Sequence, residues 1–136
     1  MILADTSAWV EYDRGSGSRV DQRMAELIAD DGALAVTEPV VMEVVAGARS
    51  DNRAADLQRL LARCHLLTFE AVADFDAASL IYRRCRRAGV TPRGLVDCMI
   101  ASVALRHGAV LLAHDADLSR IASVVGVPMD AGSTLP

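Results

Sequence analysis

The chain has 136 residues, 52% of them hydrophobic, and a formal net charge of −4. This length and apolar content suit one domain with a sizeable core, which we expect to span residues 1–136. All 14 basic residues are arginine, and the absence of lysine excludes a P-loop nucleotide site, which needs a lysine on the phosphates.

Predicted strands and helices alternate along the whole chain. The first half is expected to contain strand 2–4, helix 7–12, a helix from about 19 to 30 and strand 34–36. Thr37 is the predicted N-cap of a helix that runs to Gly47. The second half is expected to contain helix 52–63, strand 66–69, helix 71–87, a helix that carries Asp97, strand 110–113, helix 116–124 and strand 127–129.

This alternation predicts an α/β fold, a three-layer sandwich with a central, mainly parallel, twisted sheet of four to five strands and helices on both faces. In such sheets, ligands bind at the carboxyl ends of the strands. Asp5 directly follows the first predicted strand, and Asp115 and Asp117 directly follow strand 110–113. Two strands therefore deliver carboxylates to one edge of the sheet.

Asp97 is the only charged residue from Gly94 to Leu105, a segment with the composition of a buried helix. Because burial of an unpaired carboxylate costs several kcal/mol, Asp97 must be paired, protonated or bound to a cation. The acids also have structural alternatives: Asp5 and Asp115 as helix N-caps, Asp117 in a helix first turn, Glu43 on a solvated face, and Asp97 paired with Arg93.

Cysteine and histidine patterns argue against other kinds of site. The three cysteines, Cys64, Cys85 and Cys98, form no C-x-x-C pair and are odd in number, which disfavours a disulfide framework or a structural zinc site. The three histidines show no zinc-ligand spacing. No signal peptide and no apolar run near the roughly 20 residues of a membrane span are recognisable, so we expect a soluble, cytoplasmic protein.

Four parts of the sequence together resemble the PIN-domain ribonucleases, and most closely the VapC-type toxins of type II toxin–antitoxin systems. These parts are the opening MILADTSAW (1–9), Glu43 on the third predicted helix, the block LVDCMIA (95–101) and the segment HDADL (114–118). The resemblance covers nearly the whole chain in the right order. It implies a single PIN domain over residues 1–136, with the PIN-like sandwich described above.

The resemblance also implies an Mg²⁺- or Mn²⁺-dependent endoribonuclease. Its catalytic residues would be Asp5, Glu43, Asp97 and Asp115, with the three aspartates as metal ligands. Thr6, Ser7 and Asp117 would support the site. Ala113 stands where the family often has Thr or Ser, and Leu118 where it often has Phe. Asp117 therefore remains an alternative to Asp115 as the fourth acidic ligand, although we favour Asp115.

The implied reaction is hydrolysis of phosphodiester bonds in a structured RNA, a tRNA or ribosomal RNA, that leaves a 5′-phosphate and a 3′-hydroxyl. The implied partner is a VapB-like antitoxin, in a heterotetramer or larger assembly with a toxin homodimer. The predicted RNA-binding surface consists of Arg83, Arg84, Arg86, Arg87 and Arg93. The alternative for these arginines is a solvated helix C-terminus, where cations complement the helix dipole.

Other classes of protein remain to be weighed against this interpretation. A receiver domain or a dehalogenase-like phosphatase normally requires a lysine, which this chain lacks. A catalytically silent PIN-fold binding module and a metal-dependent DNA nuclease stay open as alternatives.

Overall fold

Four parallel strands form the centre of the computed structural model, which describes residues 1–30 and 32–136. The strands are β1 (Ile2–Ala4), β2 (Leu34–Val36), β3 (His65–Leu66) and β4 (Val110–Leu112). They lie in the order β3-β2-β1-β4, and each neighbouring pair is parallel. The predicted α/β fold with a parallel sheet of four to five strands is therefore confirmed.

Seven helices in the described ranges flank this sheet. They are α1 (Thr6–Arg14), α2 (Arg19–Ala29), α3 (Glu38–Ala46), α4 (Asp51–Leu61), α5 (Ala71–Arg87), α6 (Leu95–His107) and α7 (Ala116–Val125). Leu3 and Ala4 point to opposite faces of β1, and both are fully buried, so the helices cover the sheet on both sides. No helix in the described part of the chain is both long and apolar enough to cross a membrane.

The apolar core lies along β1 and β4, the two strands that carry acids at their ends. Leu3, Leu111, Ile100 and Trp9 are fully buried there, and each such side chain contributes on the order of 1.5–3 kcal/mol by leaving water. A smaller cluster packs α5, α6 and α7 together through residues that include Cys85, Cys98 and Ile121. This packing sets the position of α6, the helix that carries Asp97.

Two predicted strands are wrong in extent or in kind. Strand 66–69 is the two-residue β3, because the amide of Leu67 makes one last bond to Val36 and the chain then leaves the sheet edge. The predicted strand 127–129 is only an isolated bridge between Leu111 and Met129. Pro128 has no N–H with which to extend that ladder.

Thr37 occupies the predicted N-cap of α3 without capping it. Its hydroxyl makes no capping hydrogen bond and is buried without a partner among the described residues. Pro39 has no N–H to offer, and the N–H of Val40 already bonds to the Thr37 carbonyl at 3.0 Å. By contrast, the sequence allows either Ser18 or Asp21 to cap α2, and the structure has Ser18 as the N-cap, through a bond from the amide of Asp21.

Candidate active site

The acids picked out in the sequence meet at one edge of the sheet. Asp5 directly follows β1, and Asp115 lies just beyond β4, the neighbouring parallel strand. Asp97 is in the first turn of α6, which runs back to the start of β4 and therefore begins near that strand's carboxyl end. Glu43 is on α3, the helix that follows β2. The cleft lies between β1 and β4, where the strand order reverses, which is the usual ligand site of an open α/β sheet.

Asp5 has two tasks, and its two carboxylate oxygens divide them. Oδ1 accepts hydrogen bonds from the Ser7 hydroxyl at 2.7 Å and from the amide of Ala8 at 3.2 Å, which caps α1. Oδ2 accepts none from the described residues. Burial, assisted by the nearby charges of Asp97 and Asp115, raises the pKa of Asp5 to about 7 despite these two bonds. The helix cap predicted as an alternative is present, and one oxygen remains available for a ligand.

Asp97 is partly buried, and its carboxylate accepts no hydrogen bond from the described residues. Burial raises its pKa to about 6, and the charges of Asp115, Asp117 and Glu43 add to the effect. The structural alternative for Asp97 was an ion pair with Arg93. Arg93 instead pairs with Asp115 at 3.1 Å and only partly offsets the rise in the pKa of Asp97.

Asp115 and Asp117 lie at the start of α7 but differ in their surroundings. Oδ1 of Asp115 caps the helix through the amides of Asp117 at 2.8 Å and Leu118 at 3.5 Å, whereas Oδ2 accepts no hydrogen bond from the described residues. Asp117 is 5% exposed, and its Oδ2 accepts the backbone N–H of Arg93 at 3.0 Å. The charges of both aspartates help to raise the pKa of Asp97, and the charge of Asp115 also helps to raise that of Asp5.

Two hydroxyl side chains at the start of α1 position the acids. Thr6 donates to Oε1 of Glu43 at 2.5 Å, which links α1 to α3 across the cleft. The Ser7 hydroxyl donates to Asp5 and accepts the backbone N–H of His114 at 2.8 Å. Thr6 thus holds Glu43 in place, and Ser7 holds Asp5.

This donor set fits a hard divalent cation. Asp5, Asp97 and Asp115 together present four carboxylate oxygens that accept no hydrogen bond from the described residues, and oxygen ligands favour Mg²⁺ or Mn²⁺ over zinc. Two carboxylates about 4 Å apart repel by roughly 4 kcal/mol at an effective dielectric constant of 20, which a cation would relieve. In residues 1–30 and 32–136, no three His, Cys, Asp or Glu side chains already converge at metal-ligand spacing.

The predicted RNA-binding arginines separate into two groups. Arg83, Arg84, Arg86 and Arg87 are exposed at the end of α5 and form no ion pair with the described residues. Three of them line a surface cavity of about 340 Å³ together with Tyr82. Arg93 is different, because its guanidinium lies on the acidic cluster itself.

An ion pair between a buried aspartate and a partly exposed arginine orients α6 and was not predicted from the sequence. Asp74 on α5 is 1% exposed and accepts hydrogen bonds from the Ser102 hydroxyl and from Nη2 of Arg106, both at 2.7 Å and both from α6. The signal was present in the sequence: Asp74 shares a helical spacing with Ala78, Ile81 and Cys85, the residues that α5 buries. The pair clamps α5 to the helix that carries Asp97.

The cysteines and histidines lie in different surroundings. All three cysteines are free thiols. His65 and His107 are exposed. His114 is partly buried, and its Nδ1 lies 2.6 Å from the hydroxyl of Thr134.

The PIN-domain family contains proteins that are similar to this chain over most of its length. The PIN domain model matches residues 2–124. The chain is 44% identical to Ribonuclease VapC11 of Mycobacterium tuberculosis over 128 residues, which make up 93% of this chain and 96% of that protein.

Solved structures with the same fold are about 20% identical in sequence. DNA-bound VapBC from Salmonella typhimurium is similar over 95% of this chain and 96% of that chain, with a TM-score of 0.73 and 20% identity. VapC20 of Mycobacterium tuberculosis, described as a sarcin–ricin loop cleaving toxin, is similar over 88% and 93%, with a TM-score of 0.64 and 22% identity.

Proposed function

Because the chain belongs to the PIN-domain family and, within it, to the VapC-type ribonuclease toxins, we propose that its acidic cleft is a divalent-metal-dependent active site. The site would hydrolyse phosphodiester bonds in a structured RNA, either a tRNA or a ribosomal RNA. One observation carries this proposal: Asp5, Asp97 and Asp115 meet at the sheet edge with carboxylate oxygens that no described residue satisfies. Burial and mutual repulsion disfavour the ionised forms of Asp5 and Asp97, and a bound cation would reverse that preference.

In the proposed mechanism, Asp5, Asp97 and Asp115 would hold Mg²⁺ or Mn²⁺. Such an ion, when bound, would neutralise charge on the scissile phosphate and make a water molecule more acidic. Glu43, oriented by its bond from Thr6, accepts the proton of the attacking water. Attack by water on phosphorus would leave a 5′-phosphate and a 3′-hydroxyl, with no need for the RNA 2′-hydroxyl as nucleophile.

The four arginines at the end of α5, which form no ion pair with the described residues, are the proposed contact to the RNA backbone. The chain as a whole carries a net charge of −4, so attraction to a polyanion requires a local concentration of positive charge. Arg83, Arg84, Arg86 and Arg87 supply that concentration within five residues. Their guanidinium groups are free to form bidentate contacts with phosphate oxygens.

A VapB-like antitoxin is the partner of this toxin. Several solved proteins that share its fold are VapBC complexes, from Salmonella typhimurium, Rickettsia felis and Haemophilus influenzae. Large apolar side chains are exposed on this chain, among them Met42, Leu66, Val72, Phe75 and Leu80. Such surfaces are typical of sites that bind a protein partner.

We also propose a toxin homodimer, which light scattering of the purified chain would detect.

The test is cleavage of total tRNA and ribosomal RNA by the purified chain, with Mg²⁺, with Mn²⁺ and with EDTA, followed by mapping of the fragment ends. Asp97→Asn keeps the shape of the side chain and removes its charge, and we expect it to lower the cleavage rate about 100-fold or more. Asp76→Asn is the matched control, because Asp76 is an exposed acid on α5 outside the cleft. Asp115→Asn and Asp117→Asn, compared side by side, would identify the fourth acidic ligand.

Each outcome has a definite meaning. Site-specific cleavage that requires the metal and Asp97, with 5′-phosphate ends, supports the proposal and identifies the substrate. Equal cleavage of DNA oligonucleotides of matched sequence would instead favour the DNA nuclease. A folded chain that binds metal and cleaves no RNA would favour the silent binding module.

A further inference from the structure

Arg93 bridges two carboxylates of the acidic cleft. It lies in the loop between α5 and α6, and its Nη2 donates to Oδ1 of Asp115 at 3.1 Å. Its Nε is 3.8 Å from Oδ2 of Asp117, and its backbone N–H donates to that same oxygen at 3.0 Å. One loop residue therefore holds the start of α7 through both its side chain and its backbone.

The two attachments of Arg93 differ in how easily they break. The side chain is 75% exposed, and exposed ion pairs are weak and exchange readily with solvent and salt. The backbone bond ends on Asp117, which is 5% exposed and therefore shielded from water. The guanidinium can leave Asp115 while the loop itself stays anchored at the rim of the cleft.

Arg93 is also the cation that faces Asp97. Asp97 accepts no hydrogen bond from the described residues and lies among the negative charges of Asp115, Asp117 and Glu43. Arg93 is the one positive group among the charges that act most strongly on it. Its guanidinium therefore supplies part of the neutralisation that a metal ion would supply.

We infer that Arg93 is a positioning residue that serves as the internal counter-cation of the acidic cleft. It holds Asp115 and Asp117 in place without a metal ion, and its charge, bound at Oδ1 of Asp115, opposes the binding of a divalent ion at Oδ2 of the same carboxylate. The inference rests on the proposed function, since it concerns the same metal site. A guanidinium displaced from Asp115 remains tethered at the rim by the backbone bond to Asp117, where an RNA phosphate is its natural next partner.

The test measures binding of Mn²⁺ alone by titration calorimetry at low ionic strength, with no RNA present. Arg93→Gln removes the opposing charge, and we expect it to bind Mn²⁺ about two- to five-fold more tightly than the wild type, within the range typical of an exposed ion pair. Arg93→Lys restores the charge and should return the affinity toward the wild-type value. Arg120→Gln makes the same change in net charge at an exposed arginine without an ion pair to the described residues, and should leave the affinity unchanged.

A second measurement separates this role from simple loss of structure. Without metal, Arg93→Gln should melt a few degrees below the wild type, because the carboxylates then repel without a counter-cation. Saturating Mn²⁺ should remove most of that difference. A variant with a merely disordered loop would stay less stable with Mn²⁺ and would bind the ion more weakly.

Failure of the inference and failure of the proposed function give different results. If the wild type binds Mn²⁺ through Asp97, as judged by loss of binding in Asp97→Asn, but Arg93→Gln binds no more tightly, only the role of Arg93 is overturned. If the wild type shows no Asp97-dependent binding, the metal site itself is refuted and the counter-cation role falls with it.

Discussion

Raising the pH from 5 to 8 without divalent ions is expected to destabilise the protein. The pKa values of Asp5 and Asp97 are raised to about 7 and about 6, chiefly by burial. The native state therefore holds these two protons more tightly than the unfolded chain, whose aspartates ionise near the ordinary value of 3.8. The contribution of these two groups to the free energy of unfolding is fully present below that ordinary value and is lost as the pH rises through the native pKa values.

The size of this loss follows from the pH range, above pH 5, over which each aspartate is protonated in the native state and ionised in the unfolded chain. Each pKa unit corresponds to about 1.4 kcal/mol, so Asp5 loses about 3 kcal/mol between pH 5 and 7, and Asp97 about 1 kcal/mol between pH 5 and 6. For a chain of this size, the total corresponds to a fall in Tm of roughly 10 °C. The pKa values of Asp74 and Asp130 are lowered, because their arginine partners outweigh the opposing effect of burial. Their contribution changes only below about pH 4 and leaves this range unaffected.

The assay is urea denaturation at pH 5, 6, 7 and 8, once with EDTA and once with saturating Mg²⁺. We expect the fall with EDTA, and we expect Mg²⁺ to stabilise the protein more at pH 8 than at pH 5, where the ion competes with protons. Asp97→Asn should flatten part of the slope, while Asp76→Asn should keep all of it. A metal-free stability that stays level or rises from pH 5 to 8 would refute the reasoning.

Three further predictions concern groups around the cleft. Asp74→Asn weakens the pair between this buried carboxylate and the partly exposed Arg106, and we expect it to lower the free energy of unfolding by about 2 kcal/mol in urea titrations. A loss below about 1 kcal/mol would mean that the pair does not hold α6 in place. Thr6→Val removes the hydrogen bond to Glu43 and should slow single-turnover RNA cleavage about ten-fold, while circular dichroism shows an intact fold. An unchanged rate would show that Glu43 does not need this hydrogen bond. Arg86→Gln should reduce the salt slope of RNA binding by roughly 0.7 to 0.9, and an unchanged slope would place the RNA elsewhere.

The fold was predictable from the sequence because its elements have clear local signals. β1 and β4 lie in short apolar runs, and an aspartate follows each of them within two residues of the end of the run. The helices begin after recognisable capping residues such as Ser18. The edge of the sheet was the weakest part of the prediction. β3 has only two residues, and its length depends on where the neighbouring strand stops offering hydrogen bonds, which no local pattern encodes.

Pairing across the site was not predictable in the same way. The sequence placed Arg93 one turn before Asp97 and made that pair the natural alternative, yet the guanidinium pairs with Asp115, 22 residues further along the chain. Asp74 and Arg106 are 32 residues apart. Which charged side chains pair depends on how α5, α6 and α7 pack against one another. The spacing of side chains within one helix does not predict such pairs between helices.

The sequence by itself determined which residues stand at the carboxyl edge of the sheet, because alternating strands and helices bring every strand end to the same side. It also determined the chemistry available there, since the acids and hydroxyls follow those strands directly. Only the tertiary structure decided how each carboxylate is used. Oδ1 of Asp5 and of Asp115 caps a helix, and Arg93 pairs with Asp115. Oδ2 of both aspartates and the carboxylate of Asp97 accept no hydrogen bond from the described residues. Burial and the distances between charges set these states, and both arise only when the elements pack against one another.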